Sequence, residues 1–452
     1  ADMMQALSLT TPYPHQERAA RVAGHAILIA PTGSGKTEAA LYWAAAQRSS
    51  GTVGRLYYVL PYQASLNAMR ARIAPLFRGA VALQHSRALQ ALYRTLLEVE
   101  GYTPEEAAKR ARHEAALARL HHHPVRLLTP YQLLRAAFRL KGYEATLTDA
   151  AGGIYVFDEI HAYEPRRLGM IIAMIEYLAH VLGGRFLIMS ATLPGALAGL
   201  LRGALGVAAD IVAPPELYRQ FARHRLRMVR GGIGAPSTLE AIAQRATRGE
   251  AVLVVCNTIA TANELYDALR ERLRGAVDAV ELLHGRFNAR DRFGKERALL
   301  GRMGTGRRDR SGTPTVLVAT QVVEVSLDVD FDTLFTEPAP LEALFQRFGR
   351  VNRRRRLPTA DVHVLDEPRT GQGVYEDDYV AAALDVLAGR DGEPIDEERV
   401  APWLDRIYAG PVGERWSRAV AEAAAEFRAA CIADLRAFES NPELAEIGRA
   451  HV

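Results

Sequence analysis

The sequence predicts two tandem α/β domains, each built on a parallel sheet, followed by a helical C-terminal segment. Three observations carry this. Short apolar runs alternate with longer amphipathic stretches in two series, a Pro/Gly-rich break separates the series, and strand signals stop after Pro368.

In the first series, 26–29, 56–60, 81–83, 125–128, 154–157 and 186–189 read as strands with helices between them, the βαβ pattern of a parallel sheet. Segment 88–123, rich in Ala, Arg and Glu, reads as a helical insertion between two of these strands, and His121-His122-His123 reads as its solvated end rather than a metal site. The break holds Pro214-Pro215, Gly231-Gly232 and Gly234-Ala235-Pro236, which places the boundary near Pro214. The second series is 226–229, 251–255, 280–283, 315–319, 333–335 and 361–365. The expected domains are therefore 1–213, 214–367 and a tail, 368–452, of two or three helices packed onto the second sheet by Trp403 and Trp416.

Composition narrows the class. A chain of 452 residues, 49% of them hydrophobic, can bury large cores. Two cysteines, Cys256 and Cys431, exclude a disulfide scaffold and fit a reducing compartment. The longest apolar stretch, 168–182, contains Glu176 and His180 and is too short to span a bilayer, so a cytoplasmic protein without a membrane partner is expected. Net charge is +4, a modest excess that allows a nucleic-acid partner. Lysine occurs only at Lys36, Lys109, Lys141 and Lys295 in an arginine-rich chain, so Lys36 stands out.

Lys36 belongs to Ala30-Pro31-Thr32-Gly33-Ser34-Gly35-Lys36-Thr37, between the first strand and its helix. Such a turn lets the N–H groups of Thr32, Gly33, Ser34 and Gly35 close around phosphate oxygens at the positive end of a helix. Lys36 then neutralises β/γ-phosphate charge, and the Thr37 hydroxyl can ligate magnesium. Ala30 stands where the usual pattern has Gly. Downstream, the strand 154–157 delivers Asp158-Glu159-Ile160-His161. Asp158 can hold magnesium through water, and Glu159 can polarise an attacking water. Either motif alone could be a packing turn or a solvated strand end; together they specify a site for ATP and magnesium.

Asp158-Glu159-Ile160-His161 resembles the box that names the DExH branch of superfamily 2 helicases, and motifs in the family's order run through residues 12–356. The resemblance implies RecA-like domains and further roles. Gln16 corresponds to the adenine-reading Gln, whose amide suits both edges of the base. Pro61, in Val59-Leu60-Pro61-Tyr62-Gln63, and Thr129, in Leu128-Thr129-Pro130, open helices where nucleic-acid phosphates bind. Ser190 and Thr192, in Ser190-Ala191-Thr192, relay the state of the nucleotide site together with His161. In the second half, His284 and Arg286, and Thr320 and Gln321, correspond to nucleic-acid contacts, and Asp328 to a nucleotide contact. Gln346, Arg350 and Arg353 share a spacing that puts two guanidiniums on one helix face, able to cross the cleft to the γ-phosphate.

The string Val322-Val323-Glu324-Val325-Ser326-Leu327-Asp328-Val329-Asp330 resembles the CRISPR-associated helicase of type I interference, with Val325 where that family commonly has Gln. This resemblance implies an ATP-dependent DNA translocase moving 3′ to 5′ on single-stranded DNA, recruited to the R-loop of a guide-RNA surveillance complex. The family's common form carries a paired His/Asp nuclease ahead of the helicase. Fifteen residues precede Gln16 and no His-Asp dipeptide occurs, so the nuclease is expected either as a separate polypeptide or as a domain trimmed from this chain. Two alternatives stay open: an RNA or DNA-repair helicase of the same superfamily, and a nucleotide-gated scaffold without turnover.

Overall fold

The computed structural model describes residues 11–435 apart from 52–53, 99, 306–314, 325–326, 396 and 434, so Val325 and Ser326 of the distinctive string lie outside the described residues. Two seven-stranded sheets follow one another along the chain.

The first contains β1 (His25–Ile29), β2 (Leu56–Val59), β3 (Val81–Gln84), β4 (Val125–Leu128), β5 (Ile154–Asp158), β6 (Arg185–Ser190) and β7 (Ala208–Val212). Their order is β3-β4-β2-β5-β6-β1-β7, with every pairing parallel. A parallel strand is covered by helices on both faces, which is why its sequence reads as a continuous apolar run. Alternation along each strand assigns the faces. Tyr57, Val59, Tyr155, Phe157, Phe186 and Ile188 fall in one buried cluster; Leu56, Tyr58, Ile154, Val156, Leu187 and Met189 fall in the other. On the first face Tyr57 stacks on Tyr155 at 4.8 Å between ring centres and Tyr155 on Phe186 at 4.6 Å, which ties β2, β5 and β6 together.

The second sheet contains β8 (His224–Val229), β9 (Val252–Val255), β10 (Ala279–Leu283), β11 (Thr315–Ala319), β12 (Thr333–Thr336), β13 (Ala360–Leu365) and β14 (Pro394–Ile395), in the order β10-β11-β9-β12-β13-β8-β14. All pairings are parallel except that of β14 with β8.

Four features depart from the sequence reading. β7 is an added edge strand in which only Ile211 is buried, so it shows no apolar run. The helix Pro215–Phe221, past the expected boundary near Pro214, still packs Leu217, Tyr218 and Phe221 into the first core, and the chain enters the second sheet at His224, two residues before the expected strand 226–229. The tail is not free of strands, because β14 caps the edge of β8. Finally, Trp403 packs on the second core as expected, but Trp416 joins the first. The tail thus returns: the helices Asp377–Leu387 and Glu397–Tyr408 cover the second sheet, and Pro411–Phe427 lies along Pro165–His180 of the first domain. The approach is so close that a Cβ on Gly169 would stand 2.3 Å from the Val420 carbonyl oxygen.

The insertion is a hairpin of two helices, Ala88–Glu98 and Pro104–Arg119, with its own small core of Leu92, Leu96, Ala107 and Ala111. His121 and Arg126 converge on Asp149, and His123 faces Glu114 at 3.4 Å. Among the described residues, no helix is long and apolar enough to cross a membrane.

Candidate functional site

β1 ends in the phosphate loop, and the helix Lys36–Ser49 begins directly after it. Gly33 and Gly35 have φ of +86° and +83°, a region that L side chains avoid, and a Cβ on Gly35 would stand 2.2 Å from Gln16 Nε2. Gln16 is buried, its Nε2 donating to the Gly35 carbonyl at 3.1 Å and its Oε1 accepting from the Tyr13 N–H at 2.8 Å. Its amide is therefore engaged at both ends inside the protein, where it braces the loop. Lys36 Nζ folds back to the carbonyls of Ala30 at 3.1 Å and Pro31 at 3.4 Å. Ser34 is fully buried, with Oγ 3.5 Å from His15 Nε2. Burial, and then Lys36, lower the pKa of His15 to about 4, so the imidazole stays neutral.

β5 carries Asp158 to the same end of the sheet, four strands being ordered β2-β5-β6-β1 there. Asp158 Oδ2 accepts from Tyr58 Oη at 3.1 Å, while its Oδ1 is buried without a partner among the described residues. Burial, then the neighbouring Glu159, raise its pKa to about 7, against the opposing pull of Lys36. A buried carboxylate oxygen that lacks a donor is costly. A hard divalent cation would offset that cost, and the Thr37 hydroxyl, which lines the same cavity, would supply it a further oxygen. Arg72 Nη1 donates to Thr37 Oγ1 at 3.1 Å and also pairs with Glu38.

Glu159 adopts φ of +54°, a strained conformation that turns its side chain out of the strand direction. Its carboxylate lies 3.4 Å from His161 Nε2, and His161 Nδ1 lies 2.9 Å from Ser190 Oγ. Ser190 Oγ in turn donates to the Thr192 carbonyl at 2.6 Å. The three residues expected to couple the sites are thus joined in one chain that starts at Glu159.

A cavity of about 530 Å³ lies between the domains. Thr32, Thr37, Asp158, Glu159, His161 and Thr192 line it from the first domain, and Asp328, Gln346, Arg350 and Arg353 from the second. Arg353 Nε faces Asp328 Oδ1 at 3.3 Å. Arg350 is engaged differently: Nε, Nη1 and Nη2 donate to the carbonyls of Val323, Leu327 and Glu324 at 2.8, 3.1 and 2.7 Å. It reaches the cleft wall while holding the strand-to-helix loop in place.

The expected nucleic-acid residues follow the C-terminal ends of β2 and β4, neighbours in the first sheet, and of β10 and β11, neighbours in the second. They are not alike. Pro61 lines the interdomain cavity, Thr129 and Thr320 are buried, and Gln321 Nε2 donates to the Asn257 carbonyl at 2.7 Å. His284 is buried and stacks on Phe287 at 4.2 Å, which leaves Arg286 as the exposed cation.

Sequence reading missed four residues that build the cleft. Arg347, fully buried, bonds Glu324 at 2.8 Å, Thr336 at 2.6 Å, Asn257 at 3.0 Å and Tyr375 at 3.0 Å. Its position between Gln346 and Arg350 was the available signal. Arg72, Arg223 and Glu397 lie outside any motif and carry none.

A phosphate loop and a strand-end Asp-Glu pair on one sheet, opposed across a cleft by arginines from a second, define a two-domain helicase of the DEAD/DEAH kind. Residues 13–199 match the family described as DEAD/DEAH box helicase. Residues 248–356 match the C-terminal part of the CRISPR-associated nuclease/helicase Cas3. The chain is 31% identical over 88% of its length to the CRISPR-associated endonuclease/helicase Cas3 of Thermus thermophilus, covering 51% of that protein. It is 28% identical over 85% of its length to the corresponding protein of Escherichia coli, covering 48%. The crystal structure of T. fusca Cas3 with AMPPNP superposes with a TM-score of 0.75 at 22% identity, over 95% of this chain and 56% of that one. The chain thus resembles the helicase part of the Cas3 proteins of CRISPR systems, and it spans about half the length of the curated relatives it matches.

Proposed function

We propose that this chain hydrolyses ATP with magnesium to translocate 3′ to 5′ along single-stranded DNA, and that nucleic acid stimulates the hydrolysis. The observation that supports this best is the cavity between the domains, where Asp158 and Glu159 face Arg350 and Arg353.

In this reading the loop N–H groups and Lys36 take up the phosphates, Lys36 exchanging its two carbonyl partners for phosphate oxygens. Thr37 and Asp158 would hold magnesium, which supplies charge neutralisation at the β- and γ-phosphates. Glu159 orients and polarises the attacking water, and its bond to His161 passes any change to Ser190 and Thr192. Arg353, with Arg350 behind it, closes on the γ-phosphate from the second domain. Closure and opening of the two sheets move the strand held at their edges by sequence-independent phosphate contacts.

A structural relative at 22% identity and TM-score 0.67 comes from a structure described as a CRISPR RNA-guided surveillance complex, pre-nicking. We accordingly assign the chain's substrate as the unpaired strand of an R-loop and its partner as a guide-RNA surveillance complex in the cytoplasm. The test uses duplexes with a single 3′ or 5′ tail, ATP and magnesium. Displacement from the 3′ tail is expected; displacement from the 5′ tail contradicts the assigned polarity.

A further inference from the structure

Thr32 of the phosphate loop is held from two directions, by residues outside the first sheet. Its carbonyl accepts from Arg223 Nη1 at 3.3 Å, and its N–H donates to Glu397 Oε2 at 2.7 Å. Arg223 stands at the crossing between the domains. It is 3% exposed, and its backbone carbonyl accepts from the Ala360 N–H at 3.0 Å and from Asn352 Nδ2 at 3.4 Å, both in the second domain. Its Nε and Nη2 have no hydrogen-bond partner among the described residues.

Glu397 opens the tail helix Glu397–Tyr408. Val400, Trp403, Leu404 and Ile407 root this helix in the second core, while Asp405 Oδ1 accepts from the Gly195 N–H of the first domain at 2.6 Å. The Glu397 carboxylate is half-buried and lines the interdomain cavity together with Thr37, Asp158 and Arg353.

N–H groups in such a loop are phosphate donors. A carboxylate oxygen is the same kind of acceptor and carries charge of the same sign, so Glu397 and a phosphate oxygen cannot share the Thr32 N–H. We infer that Glu397 is a positioning residue that sets nucleotide affinity: its carboxylate holds the Thr32 N–H of the phosphate loop, and a nucleoside triphosphate must displace it. The inference rests on the ATP reading above. Displacement frees the N-terminal tip of a helix anchored on both domains, so occupancy of the loop reaches the tail and the second core. The unpartnered nitrogens of Arg223 give the displaced carboxylate a cation to move toward.

The test measures equilibrium binding of a fluorescent ATP analogue with magnesium to the whole chain, with thermal midpoints alongside. Glu397→Gln keeps the size and an acceptor oxygen but removes the charge. Removing one like charge at roughly 4 Å in a water-exposed cleft corresponds to about fivefold in affinity. Kd should fall by about that factor in Glu397→Gln, less for an ADP analogue and less in high salt, and in turnover the gain should be read in KM rather than kcat. Asp405→Asn, which loosens the same helix at its other anchor, should move Kd in the same direction. A residue that merely tied the helix down would lower the thermal midpoint and leave Kd unchanged. Binding by the wild type with Kd unchanged or raised in Glu397→Gln overturns the inference alone; no binding by the wild type or by Glu397→Gln overturns the ATP reading.

Discussion

Replacing Arg347 by Met should destabilise the second domain strongly, although no phosphate contact is assigned to it. The guanidinium is fully buried and supplies Nε to Glu324 Oε1 at 2.8 Å, Nη1 to Thr336 Oγ1 and the Glu337 carbonyl at 2.6 and 3.1 Å, and Nη2 to Asn257 Oδ1 and Tyr375 Oη at 3.0 Å each. Methionine fills most of the volume and makes none of these bonds. Breaking a buried ion pair from one side costs about 3–5 kcal/mol, because the remaining carboxylate and its neighbours are left without donors. For a domain of this size about 1 kcal/mol moves the midpoint by roughly 2–4 °C, so a fall of roughly 6–20 °C is expected. Glu324 lines the interdomain cavity, so turnover should fall as well. Lysine restores the charge but not the planar fork, and should recover only part of the loss. Thermal unfolding of the purified variants, followed by circular dichroism, measures this; a midpoint within about 2 °C of wild type for Arg347→Met would refute the reasoning from buried pairing.

Three further outcomes follow from the same geometry. Glu159→Gln should bind ATP and stall hydrolysis by at least about 100-fold, since the amide keeps the shape and loses the charge that polarises water; equal loss of binding and single-turnover hydrolysis would assign the residue to structure instead. Arg353→Ala should lower turnover more than ATP affinity, whereas Arg350→Ala should do so and also lower stability by about 1–3 kcal/mol, because three carbonyls lose their donor; unchanged turnover in both would require another finger. Burial lowers the pKa of His224 to about 3 and of His363 to about 4, below the 6.5 of an unfolded histidine. Below pH 6.5 the unfolded chain therefore binds protons that the folded chain does not, and stability present above pH 6.5 is lost as pH falls toward these values. Each contributes about 2 kcal/mol of loss at pH 5, and a thermal midpoint that stays flat from pH 7.5 to 5 would contradict this.

The sheets were legible because parallel strands buried on both faces leave unbroken apolar runs, as at Leu56–Val59 and Thr315–Ala319. β7 and β14 left no such trace: one is a half-exposed edge and the other is two residues long. Trp416 was readable as a packing residue but not as packing on the first domain, since a helix's apolar stripe does not name the surface that covers it. The residues that line the cavity between the domains were legible because each chemical role demands a residue type at fixed spacing from a strand end. Gln16 and Arg350 show the limit of that logic. Their motif positions are recognisable, yet the three-dimensional neighbourhood commits Gln16 to Gly35 and Tyr13 and Arg350 to three carbonyls. Arg223 and Glu397 are brought to Thr32 from far along the chain, and no local pattern announces such a meeting.

The central claim is that the cleft is an ATPase engine driven by a DNA strand, and phosphate release by the purified chain tests it most directly. With ATP and magnesium, single-stranded DNA should raise the rate well above that seen alone or with RNA of the same sequence, and Lys36→Ala, which removes the point charge nearest the phosphates, should abolish it while the chain remains folded. Equal stimulation by RNA would contradict the DNA assignment, and phosphate release that survives in Lys36→Ala, or is absent from the wild type with every nucleic acid, would contradict the engine itself.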